Sequence, residues 1–221
     1  MKSYLILLTF AISVSSKPSA TAEQIALCPR RASAYVEISA GQGTLYAGDS
    51  MHSILDDGDN KEVSYVAKIK DHYPDLTLVS AAIFDREYND ITLYSGRIGY
   101  RYDNEGKLAN VKQAPGGMSP KLAFWWKKAT IVLVDGEKTA LLNKNWESFK
   151  DSSLEAEIRK FLRTFSDLKD IKGIIGAGEE RATAWMKDGM QTWEKSSDGS
   201  IETTEYNWPS LVDNGWTCTG E

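Results

Sequence analysis

The chain is poor in the residues that build catalytic and metal centres. Its 221 residues include two cysteines, Cys28 and Cys218, and two histidines, His52 and His72. Neither pair shows ligand spacing, so no metal site is expected, and no cofactor motif is present. Basic residues carry no surplus: 26 Lys and Arg stand against 31 Asp and Glu. That balance excludes the domain-scale positive field of a nucleic-acid binder. No apolar run approaches the roughly 18 residues of a spanning helix, so stable membrane insertion is not expected. The pattern Asn-x-Ser/Thr never occurs, which removes N-glycosylation. No internal repeat of about 20–50 residues is visible. What remains, 42% hydrophobic and 26% charged residues, is an ordinary globular composition.

Residues 1–22 read as a secretory signal peptide. Lys2 supplies the positive start, Tyr4 to Val14 an apolar run of 11 residues, and Ala20-Thr21-Ala22 a small-x-small cleavage site. The alternative is cleavage near Ser16. A secreted or periplasmic location follows, and a mature domain of 23–221. Export to an oxidising compartment then favours pairing Cys28 with Cys218 and so joining the two ends of the domain.

Along the mature chain, 32–47 reads as two short strands about Gly41 and Gly43. Asp59, with Glu62 three residues on, reads as the cap of a helix carrying Val63, Val66, Ile69 and Tyr73. Residues 76–84, 91–94, 97–102 and 108–111 form an antiparallel meander, and Ile131–Val134 is the best candidate for a central strand. Ser152, with Glu155, caps a helix whose apolar face is Leu154, Ile158, Phe161, Leu162 and Phe165. Gly173, Gly176 and Gly178 read as a connection to a second helix, Glu179 to Trp193, burying Ala182, Trp185, Met186 and Trp193. Strands first and helices later predict an α+β fold: an antiparallel sheet in the N-terminal two-thirds and two C-terminal amphipathic helices.

Three patterns invite a chemical reading. Gly48-Asp49-Ser50, preceded by Leu45 and Tyr46, resembles the block carrying the nucleophilic serine of GDSL-type esterases. That family takes its base from a C-terminal Asp-x-x-His, and here no histidine follows His72, so Ser50 lacks that base. Asp56, Asp57, Asp59 and Glu62 resemble a calcium loop in spacing, without its central glycine or terminal glutamate. Gly173, Gly176 and Gly178 lack the Lys and Ser/Thr of a phosphate loop.

Charge and aromatic content say more. Residues 179–221 hold nine acids and three bases. An acidic face containing Glu179, Glu180, Asp188 and Glu194, beside exposed tryptophan, suits a protein partner, preferably a basic one. Trp125 and Trp126 are the informative pair, because on a strand their rings face opposite sides. The expectation is a non-enzymatic binding protein of the inhibitor or immunity type. The alternative is a secreted hydrolase using carboxylates on a glycan or, less readily, Ser50 on an ester.

Overall fold

A computed structural model describes residues 21–29, 31–165 and 168–219. The expected leader, 1–22, lies outside them except for its last two residues. Helix α1 (Ala22–Ala26) precedes the first of four antiparallel sheets, each built from consecutive strands. The first sheet is β1 (Ala32–Ser39), β2 (Gln42–Ala47), β3 (Ser50–Asp56) and β4 (Lys61–Lys68), followed by α2 (Ile69–His72). The second is β5 (Ala81–Asp85), β6 (Asp90–Ser95), β7 (Ile98–Tyr102) and β8 (Leu108–Gln113). The third is β9 (Leu122–Trp126), β10 (Thr130–Asp135), β11 (Lys138–Leu142) and β12 (Ser148–Phe149), followed by α3 (Ser152–Leu162). The fourth is β13 (Ile171–Ile175), β14 (Arg181–Met186), β15 (Gly189–Lys195) and β16 (Ile201–Asn207). The first strands of the sheets, β1, β5, β9 and β13, contact one another around a common axis. The arrangement is a four-bladed β-propeller.

The core follows the same plan, with one apolar cluster in each seam between blades. Ala34, Tyr46 and Met51 of blade 1 meet Ala82, Leu93 and Tyr102 of blade 2. Ile83 and Tyr94 of blade 2 meet Ala123, Ile131 and Leu133 of blade 3. Phe124, Trp126 and Val132 of blade 3 meet Ile174, Ala184 and Trp193 of blade 4, with Ile158, Phe161 and Leu162 of α3 between them. Trp185 of blade 4 meets Tyr35, Leu45 and Ile54 of blade 1. The inner strands of a blade are therefore buried on both faces, while the outer strands β8 and β16 are exposed, and alternate residues of one inner strand serve different seams. Ala81–Phe84 of β5 and Leu122–Trp126 of β9 read as unbroken apolar runs because no face is left for solvent.

The α+β expectation is overturned by this architecture. The segment expected as a helix over Glu179–Trp193 is the hairpin β14–β15, with Ala182 opposite Trp193 and Trp185 opposite Met190. Its tryptophans do not share a face: Trp193 enters the blade 3 seam and Trp185 the blade 1 seam. The glycines before it belong to β13 and its turn, with Gly176 and Gly178 at positive φ. The helix expected from Asp59 is β4, and only Ile69–His72 is helical. The helix at 152–162 is present, but Asp151 caps it, accepting from the amides of Ser153 and Leu154.

The unit absent from the sequence pattern is thus structural, recurring at Ala32, Ala81, Leu122 and Ile171. One signal does repeat. Leu45-Tyr46-Ala47-Gly48, Leu93-Tyr94-Ser95-Gly96 and Leu133-Val134-Asp135-Gly136 each end a second strand in a tight turn. Their glycines share φ values of 60°, 60° and 57°.

The ring is closed from outside. After blade 4 the chain passes through α4 (Trp208–Asp213) and adds β17 (Trp216–Thr219) in parallel to β4 of blade 1. Cys218 of β17 is bonded to Cys28, with Cα atoms 5.0 Å apart across a sequence separation of 190. The expected disulfide is present. Trp185 packs against Trp208 at a tilt and against Trp216 edge-on at this closure, with ring centroids 6.1 and 5.5 Å away.

Candidate functional site: the mouth of the central channel

All four inner strands run in the same direction along the axis, so their first turns gather at one end. There they surround a cavity of about 260 Å³, with walls from every blade. Val36, Ala82, Phe84, Ala123 and Ile174 make its body apolar. The volume falls just below the roughly 300–1,000 Å³ of small-molecule pockets.

The exposed charges of the rim are paired, and Asp85, buried in the lining, has N–H donors but no cation among the described residues. Arg86 Nη2 lies 2.5 Å from Glu37 Oε2, Lys128 Nζ 2.9 Å from Glu179 Oε1, and Lys144 Nζ 3.8 Å from Glu87 Oε2. Three acids and three bases from all four blades thus pair around the opening, and Asp85 is a fourth acid in the lining. Glu37 is the most buried of the six, with its side chain 20% exposed against 55% for Arg86. Burial pushes its carboxyl up from the ordinary value, against the pull of Arg86 and Lys128. Behind the apolar body, the phenol of Tyr35 is pushed well above its usual range by burial and by the nearby Glu37, so it stays protonated.

Trp125 forms one side of the opening. It is half-buried, and its indole N–H donates to the Phe84 carbonyl at 2.8 Å, which fixes the ring across the blade 2–blade 3 seam. Beside it, Trp146 has φ 63°, where Gly106 and Gly199 stand in the matching turns of blades 2 and 4. Its indole N–H reaches buried Asp85 at 3.4 Å, and Asp85 also accepts from the amides of Glu87 and Tyr88. This turn of blade 3 therefore braces the first turn of blade 2. Ile38 and Tyr88 stand exposed nearby at 41% and 54%.

Sequence reading finds part of this rim. Trp125 and Glu179 lie on it. Trp126 does not: it is buried against Phe161, its ring pointing to the opposite seam. Glu180 lies in the same turn as Glu179, and Glu194 is paired with Arg181 at 2.9 Å on the blade 4 hairpin. Asp188 sits in the β14–β15 turn, at the other end of the strands. Glu37, Arg86, Lys128 and Lys144 carry no local motif, because only the ring brings their four turns together.

The other candidates have structural explanations. Gly48-Asp49-Ser50 is the β2–β3 turn, the counterpart of those at Gly96 and Gly136. Ser50 Oγ donates to Asp49, while His52 is buried edge-on to Tyr65 with Nδ1 unpartnered. The acids of 56–62 form the β3–β4 turn, where Asp57 accepts from the amides of Asp59 and Asn60. Those bonds hold the Asp57 carboxyl below its usual value. Among the described residues no His, Cys, Asp and Glu group is arranged to hold a metal ion. No helix among them is long and apolar enough to cross a membrane.

No protein-family model matches the sequence, and no curated protein matches it. Solved structures do resemble it in fold. A hemopexin-fold protein from cow pea superposes with a TM-score of 0.56 at 13% identity, covering 83% of this chain and 97% of that one. A plant albumin from Cicer arietinum described as showing hemagglutination gives 0.58 at 15%, covering 82% and 96%. A plant lectin with two metal binding sites, also from Cicer arietinum, gives 0.58 at 16%, covering 82% and 96%. These likenesses establish the fold: a single four-bladed propeller of the hemopexin type.

Proposed function

We propose that this is a non-enzymatic binding protein that takes a protein partner on the mouth of its central channel. The observation that carries the reading is the combination found there. An apolar cavity opens within a ring of paired charges, flanked by half-buried Trp125 and exposed Ile38 and Tyr88. A central apolar pocket inside a polar rim is the layout of an interface anchor. Glu180, Glu202 and Glu205 of blade 4 stand exposed outside the rim and favour the approach of a basic partner. The plant albumin and the lectin support the choice of binding over catalysis, as proteins of this fold whose descriptions are of recognition. The leader-like N-terminus and the closing disulfide support action in an oxidising, extracytoplasmic compartment.

The test is affinity capture by oxidised 23–221 from envelope and extracellular fractions. Glu37→Lys and Arg86→Glu on the rim are compared with Glu202→Lys and Glu205→Lys on blade 4. A stoichiometric protein partner lost with the rim variants, and only slowed in association by the blade 4 variants, supports the reading. Capture insensitive to the rim, or displaced by simple sugars, contradicts it.

A further inference from the structure

The cavity is apolar and the charges around it already have partners. An ion entering the channel would lose its hydration and find the lining charges engaged: Glu37 is held by Arg86, Glu179 by Lys128 and Glu87 by Lys144, and buried Asp85 accepts from the amides of Glu87 and Tyr88 and the indole of Trp146. Of the three pairs only Glu37–Arg86 has a largely buried member, Glu37, whose charged form burial already disfavours; the other two are exposed and add little. An uncharged apolar group meets neither cost. It gains contact with Val36, Ala82, Phe84, Ala123 and Ile174 and leaves the rim pairs in place. The cavity holds about 260 Å³, room for a side chain and too little for a folded segment.

We propose that the channel is a pocket for one uncharged aromatic or branched aliphatic side chain, carried on a loop of the partner. This rests on the reading of the mouth as the binding face. It adds a specificity rule: neutral side chains enter and charged ones of the same shape do not. Trp125, held by its bond to the Phe84 carbonyl, fixes the width of the entrance. It acts as a specificity-determining residue, and its fluorescence reports occupancy.

The experiment uses three para-substituted toluenes that differ chiefly in charge, on the intact oxidised protein without any partner: neutral p-cresol, anionic 4-methylbenzoate and cationic 4-methylbenzylamine. Binding is followed by tryptophan fluorescence and by amide chemical shifts. A Kd for p-cresol of order 1 mM, suited to a ligand of about eight non-hydrogen atoms, is expected. Both charged probes should bind at least tenfold more weakly, and shifts should concentrate on the amides of 82–84, 123–125 and 174–176. Trp125→Phe keeps an apolar wall and should remove most of the fluorescence response while the shifts persist. Ala123→Leu narrows the cavity and should abolish both. If that variant fails to fold, Trp125→Phe still decides, because an unchanged response would place the probe elsewhere and overturn the proposal. Equal affinity for the three probes, or no channel shifts with 10 mM p-cresol, also overturns it. Partner capture that is lost on rim substitution while p-cresol stays unbound would leave the mouth as the binding face and refute only the side-chain pocket. Probe binding without rim-dependent capture would do the reverse.

Discussion

Replacing both Cys28 and Cys218 by alanine should destabilise the protein by about 3–5 kcal/mol. The bond closes a loop across 190 positions. Chain-entropy arithmetic gives close to 18 cal/mol/K for such a loop, or about 5 kcal/mol at 25 °C. Residual structure in the unfolded chain lowers the figure. Alanine is chosen because both sulfurs lie in the Trp185–Trp208–Trp216 cluster, and serine would add the separate cost of burying a hydroxyl. Since a domain is stable by only about 5–15 kcal/mol, the loss should be large in relative terms. At about 2–4 °C per kcal/mol for a chain of this size, Tm should fall by roughly 6–20 °C. Urea unfolding of the oxidised protein and of Cys28→Ala/Cys218→Ala, followed by tryptophan fluorescence, gives the difference directly. A loss below about 1 kcal/mol with unchanged slope would refute the reasoning, because ends that the native fold holds together anyway must benefit from their crosslink in the unfolded state.

Other consequences are smaller. His52 is buried without a partner for Nδ1, and burial lowers its pKa below the usual value near 6.5. The folded state therefore prefers the neutral ring, and stability should fall as pH drops from about 6.5 towards the folded pKa. In His52→Phe the urea midpoint should lose less between pH 7 and 5 than in the parent. Gly48→Ala meets open space, so only its φ of +60° matters, and the cost should be about 1 kcal/mol. Gly173→Ala places a Cβ 2.6 Å from the Tyr35 carbonyl oxygen, in the seam between blades 4 and 1. Its cost in the same unfolding assay should be about 2–3 kcal/mol. Glu37→Gln removes a charge that burial disfavours while loosening Arg86, so stability should change by less than about 1 kcal/mol. A larger loss would show that the pair holds blades 1 and 2 together.

Much of the local structure is legible in the sequence, and the assembly is not. Strands at 32–47, 91–102 and 131–142 are marked by branched and aromatic residues between turn formers, and α3 by its apolar periodicity. The disulfide follows from two cysteines and the expectation of export. The error at 179–193 has a definite cause. Ala182, Trp185, Met186 and Trp193 fit a helical stripe by spacing, but a blade buried on both faces sends Trp185 and Trp193 to opposite seams. The same two-sided burial hides the alternation by which strands are recognised. The repeat is concealed because the blades share turn geometry more than residue identity, as Trp146 shows at a positive φ where Gly106 and Gly199 stand in the matching turns. The rim is the least legible part. Glu37 and Arg86 are 49 positions apart and meet at 2.5 Å only once the ring has closed.

The measurement closest to the central claim is hydrogen exchange on the free protein and on its captured complex. The account predicts protection in the first turns of the blades, at 38–41, 86–89, 127–129 and 176–180. The turns at the opposite end, around Gly48, Gly96 and Gly136, should be unchanged. Protection at those opposite turns, or along the outer strands β8 and β16 with the mouth unaffected, would contradict it.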